Sequence, residues 1–133
     1  MGKLILLLSL FGLAMGLGTV FFISSKVEPF CWLVIFLVSA FLIGRSGTRR
    51  PFLTGFLLGL ANCAWIVAAH VLFVSRYLAG HPSEAAMLGA SPFSESPRLM
   101  MAITGPAIGI VSGIVIGLLA MMTSRIFRQR IIG

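Results

Sequence analysis

The chain has no aspartate, and its only side-chain carboxylates are Glu28, Glu84 and Glu95. A cation-coupled transporter ordinarily keeps a carboxylate at membrane depth, and phosphoryl transfer or metal-assisted catalysis needs carboxylates to hold the metal or take the proton. None of the three glutamates stands inside a long apolar run, so both classes are disfavoured, and the expectation is a protein that is not an enzyme. Charge of either sign is scarce: 10% of the 133 residues are charged, against about 25% in a soluble domain. Cysteine is nearly absent. Cys31 and Cys63 are too few for a disulfide framework or a zinc site, and both read as small packing residues, with no metal or cofactor expected. No phosphate-binding loop is present either, because the glycines stand at helical spacings and not in a strand-to-helix turn.

What is abundant is hydrocarbon. At 59% hydrophobic residues, a chain of this length folded in water would leave a large apolar patch exposed, since small domains bury only about two thirds of their surface. Lipid removes that difficulty. Four apolar segments, about residues 4–23, 27–44, 52–75 and 99–124, each approach the roughly 20 residues that cross a hydrocarbon core about 30 Å thick. The expected fold is therefore all-α: one transmembrane domain, a four-helix bundle with a short helix in its outer loop. A cleaved leader competes for the first segment, because Lys3 precedes it and Ala14-Met15-Gly16 has small residues at a cleavage spacing; against this, the apolar run continues well past Gly16. Pro29 and Pro97 suit first helical turns, with Ser96 as an N-cap.

The net charge of +7 would suggest nucleic acid if it were spread over a soluble surface. Its placement points elsewhere. Lys3, the turn carrying Arg45, Arg49 and Arg50, and the tail carrying Arg125, Arg128 and Arg130 fall on one side of the four segments, with no acid among them. On the other side Lys26, Arg76 and Arg98 are balanced by Glu28, Glu84 and Glu95. Cytoplasmic loops carry the excess of Lys and Arg, so the expectation is N-in and C-in, in a bacterial inner membrane. The six arginines of the basic side are expected to meet anionic lipid headgroups; an acidic docking partner is the sharper alternative. Phe21, Phe22, Phe30, Trp32 and Tyr77 collect at the opposite boundary, as an interfacial aromatic belt does.

Small residues recur four apart in every segment: Gly12 and Gly16, Ala40 and Gly44, Gly55 with Gly59 and Cys63, and the unbroken series Gly105, Gly109, Gly113 and Gly117. Such a zipper lays a side-chain-free groove along one helix face, which lets backbones approach in lipid. Packing within the chain and packing between copies both fit, and the first is the expectation for a bundle that must assemble itself. Pro106 removes a backbone donor and crowds the carbonyl of Ala102, so a kink is expected there, as bundle shaping or as a hinge.

The polar residues left inside the third segment are Asn62 and His70. At 100° per residue, Gly59, Cys63 and His70 lie within about 40° of one another, so His70 shares the small-residue face. The plain reading of His70 is an imidazole hydrogen-bonded to a neighbouring helix; the sharper one is an axial ligand to haem or a pigment, for which His81 is poorly placed as a second ligand. Asn62 reads as an interhelical hydrogen bond or a pore lining. Ser112 with His70 as base matches no intramembrane protease motif. In the outer loop, His81 to Gly89 reads as a short helix with Pro82 in its first turn, after which Pro92, Phe93 and Pro97 return the chain to the bilayer.

An arginine-bearing inner turn, the Arg50-Pro51-Phe52 entry followed by Gly55-Phe56, an aromatic exit at Tyr77, a proline-rich outer loop and a glycine-rich last segment together resemble the small four-span proteins of unknown function in bacterial inner membranes. That resemblance implies a layout and no activity. The four-span fluoride channels have a similar length, but their Thr-Thr-Phe-Ser signature is missing here, and the one-sided charge does not suit dual insertion. Three roles stay open at this level: an accessory subunit or scaffold that packs against other membrane proteins or against itself; a homo-oligomeric channel or small-solute transporter lined by Asn62, His70 and the Pro106 kink; and a haem- or pigment-binding subunit.

Overall fold

The structure is a computed structural model and describes residues 1–92 and 94–132; Phe93, assigned above to the return toward the bilayer, lies outside them. The described residues form six helices and no strand: α1 (Gly2–Phe21), α2 (Glu28–Arg45), α3 (Pro51–Leu72), α4 (Val74–Gly80), α5 (Pro82–Gly89) and α6 (Pro97–Ile132). Four of them, α1, α2, α3 and α6, are long and apolar enough to cross a membrane.

The boundaries follow local chemistry. Pro29, Pro51 and Pro82 stand in the first turns of α2, α3 and α5, where the missing N–H has no intrahelical partner to lose. Between α2 and α3 the chain turns through Gly47, whose φ of +73° suits a residue without Cβ. α3 ends at Leu72, short of the expected Ser75, because Phe73 leaves the helical region at φ −115°, ψ 37°. A separate helix, α4, then starts at Val74 where a loop was expected. α6 runs on to Ile132, well beyond Ser124, since the arginine-bearing tail contains no breaker. α6 also passes through Pro106 without a break.

Packing is organised around α3, which lies against α6 on one side and α1 on the other, while α2 packs mainly on α6. The α3–α6 seam is antiparallel and built from the two glycine series. A Cβ added at Gly55 would stand 2.7 Å from the Gly117 Cα, and one added at Gly109 would stand 2.7 Å from the Cys63 Cβ. Gly59 faces the backbone of Gly113, and Gly105 faces the Val67 side chain. In α1, Gly12 and Gly16 face Asn62 and Ile66 of α3, with that pair running parallel. Gly44 of α2 packs on Thr123 of α6, whose hydroxyl donates to the Ala40 carbonyl at 2.7 Å. The glycine faces are thus occupied within the chain.

These pairings bring the starts of α1 and α3 and the ends of α2 and α6 together, so Lys3, Arg45, Arg49, Arg50, Arg125, Arg128 and Arg130 share one end of the molecule. In the half next to this basic end the four long helices converge on Leu8, Ile43, Leu58, Ile116 and Ala120. Around this core the outward faces stay apolar: Leu6 and Val111 are 64% and 63% exposed.

Candidate functional site

Toward the other end α2 separates from α3, and α4 and α5 close over the gap. The result is a cavity of about 490 Å³, walled by α2, α3 and α6 and roofed by α4 and α5. That volume lies in the range of small-molecule sites, about 300–1,000 Å³. Its wall is mostly apolar, with Phe36, Ile66, Met100, Met101 and Ile108 among the lining side chains.

A few polar groups interrupt the apolar wall. Asn62, at the middle of α3, is 3% exposed, and neither its amide nitrogen nor its oxygen has a hydrogen-bond partner within the chain. Its Oδ1 lies on the α1 side, where a Cβ added at Gly12 would stand 2.6 Å from it and 2.6 Å from the Asn62 Cα, so the α1–α3 seam has no room for an α1 side chain that would satisfy it. Leaving a buried polar group unpaired costs about 1–3 kcal/mol, so this amide stands out among the residues of the cavity wall as one whose hydrogen bonds the described residues do not supply.

His70 also lines the cavity, and its partners are plain. Its Nε2 lies 2.8 Å from the Thr19 hydroxyl, and that hydroxyl donates its one proton to the Gly16 carbonyl at 3.1 Å. The imidazole Nε2 and the Thr19 hydroxyl are thus hydrogen-bonded to each other. Its ring stacks on Tyr77 at 3.9 Å between centroids, and Tyr77 stacks in turn on His81 at 4.2 Å. His81 is 1% exposed, with Nδ1–H donating to the Tyr77 carbonyl at 2.8 Å. The two histidines thus come together across a phenol ring that separates them, an arrangement unsuited to a shared iron, and the nitrogen of His70 that would ligate is held by Thr19. Replacing Thr19 by valine should leave the His70 Nε2 unpaired and lower stability by about 1–3 kcal/mol. Thr19→Ser should not, and thermal unfolding in detergent compares the two.

Tyr77 is consequently no member of an exposed aromatic belt. It is a buried residue of α4, and burial, with the Glu28 and Glu84 carboxylates nearby, pushes its hydroxyl well above the ordinary phenol range. Trp32, also assigned to that belt, lines the cavity instead; Phe21 stays at the rim, edge-on to Phe73 and under the Arg76 guanidinium.

Glu28 and Glu84 complete the lining. The Trp32 indole N–H donates to Glu28 at 3.4 Å. Glu84 accepts from Ser25 at 2.9 and 3.1 Å and from Ser83 at 2.8 Å. Burial acts to raise the Glu84 pKa, but these hydroxyls, a backbone N–H and His81 outweigh it and hold the carboxyl below its usual range.

The structure thus gathers Asn62 and His70 at one cavity, together with Ser112, Gly59, Gly105 and Gly109 of its wall. Pro106 is exposed and does not line it. Gly12, Gly16, Gly55, Gly113 and Gly117 stand in the helix seams. Sequence reasoning passed over Glu28 and Glu84 because one sits at a segment edge and the other in a loop helix; their common signal is that the chain has so few acids. Among the described residues no cluster of three metal-binding side chains occurs. Searches of protein-family models, of curated proteins and of solved structures find no match to this chain.

Proposed function

We propose that this chain is a multi-pass protein of a bacterial inner membrane, with both termini and the basic end on the cytoplasmic side, and that it holds a small amphiphilic molecule in the cavity beneath α4 and α5. The role is binding or transport of that molecule, without catalysis. The observation that carries the reading is the apolar cavity of ligand size, with Asn62 in its wall, a residue whose buried amide has no partner among the described residues. The apolar outward faces and the segregated arginines support the placement in lipid. An accessory subunit or scaffold is the other reading, but the glycine grooves that suggested it pack against helices of the same chain and so favour it less than the cavity favours binding.

Asn62→Leu tests the proposal through two readouts of opposite sign. Leucine is close in size and removes the unpaired amide, so the empty protein should be as stable as wild type or more stable by about 1–2 kcal/mol. Native mass spectrometry from mild detergent should show wild type retaining a small bound mass that the variant loses. A structural role for Asn62 would instead appear as loss of stability with bound mass unchanged.

A further inference from the structure

The binding proposal leaves the class of ligand open, and the charges around the cavity narrow it. The chain carries ten Lys and Arg against three acids, yet two of those three acids, Glu28 and Glu84, line this one cavity. No lysine or arginine is among its lining residues, and Lys26, the cation next in sequence, is exposed. The side-chain hydrogen bonds that Glu28 and Glu84 receive come from an indole and two hydroxyls, which are neutral, and the one titratable base that acts on both is the buried His81. The cavity is therefore anionic at the α2–α5 rim and apolar below it, with the unpartnered Asn62 amide deeper in, near the middle of α3.

We propose that the ligand is an organic monocation with an aliphatic body, an alkylammonium amphiphile, seated with its ammonium group between Glu28 and Glu84. The inference rests on the cavity being an amphiphile site. A positive headgroup offsets the two carboxylates, of which Glu28 is the more buried and Glu84 lies toward the surface. Trp32 adds an indole to the same wall, and an aromatic face attracts quaternary ammonium. Met87, Met100 and Met101 supply flexible, polarizable side chains that suit an alkyl tail. A small hydrated metal ion finds no third carboxylate in the lining, and among the described residues no cluster of three metal-binding side chains occurs.

The experiment is calorimetric titration of the full chain in phosphatidylcholine nanodiscs, with empty discs subtracted. Three probes share one tail: decyltrimethylammonium, decanol and decyl sulfate. The cation should bind saturably at one per chain, at least about tenfold more tightly than decanol, with the sulfate weakest. Glu28→Gln and Glu84→Gln, isosteric changes that keep hydrogen-bonding capacity, should each reduce the cation's advantage, and together bring it to the level of decanol while decanol itself is unaffected. Equal binding of all three probes by wild type would overturn the cationic class and leave the amphiphile site standing. Tighter binding of decyl sulfate would overturn it too, by showing that the net positive charge of the chain governs the site. Binding of no probe, with no Asn62-dependent bound mass, would remove both readings.

Discussion

Gly59→Val should abolish the folded bundle or cost about 3 kcal/mol or more, a large share of the 5–15 kcal/mol that holds a typical domain. Gly59 meets the backbone of Gly113, and the Gly109 carbonyl lies 3.1 Å from where a Cβ would stand. Backbone atoms of a helix cannot rotate aside as a side-chain tip does, so α3 and α6 would have to move apart along their whole seam. That seam is where the drive for association lies, because apolar burial in lipid supplies little and close dispersion contact supplies much. Gly55→Val should behave alike, with an added Cβ 2.7 Å from the Gly117 nitrogen and Cα. Gly105→Ala should be milder, since the obstacle there is the end of the Val67 side chain. Gly80→Ala and Gly89→Ala, where nothing lies within 4 Å, should change stability by about 0.5 kcal/mol or less. Thermal unfolding in a neutral detergent ranks the series, and a Gly59→Val protein as stable as Gly89→Ala would refute the seam.

In a background lacking Cys31 and Cys63, a cysteine at Arg49 should react with an impermeant maleimide only from the cytoplasmic side, and one at Glu95 only from outside. Both positions are exposed, so reactivity reports the compartment and not burial. The contrast should be all or none, because the orientation is set as the chain inserts and a polar connection does not recross the hydrocarbon afterwards. Helix packing strengthens the expectation. With α1 parallel to α3 and α3 antiparallel to α6, one end of the fold carries Lys3 and six arginines, and the other carries all three glutamates. Labelling of both positions from the same side would overturn the orientation and, with it, the placement of the cavity in the outer half of the bilayer.

Much of this architecture was legible in the residues. The four apolar runs, the sorting of charge and the glycine registers are properties of spacing along one chain, and spacing survives into a helix unchanged. Even the face shared by Gly59, Cys63 and His70 follows from 100° per residue. The helix α4 was not legible, because its Val74–Gly80 sequence carries neither a cap nor a breaker ahead of it and continues the apolar character of α3. Its consequence, the burial of Tyr77 between two histidines, reverses what its position near a segment end suggests.

Composition and periodicity by themselves determined that the chain forms helices of membrane length, which faces carry small residues and which end is basic, since each of these depends only on neighbours a few residues apart. The choice of partner for each glycine face, the union of Glu28, Asn62, His70 and Glu84 around one cavity, and the exclusion of Pro106 from it were decided by tertiary structure. They depend on how far α2 separates from α3 while staying fixed to α6 at Thr123 and Ala40. That separation is a balance of contacts among four helices, and no stretch of sequence shorter than the whole bundle contains it.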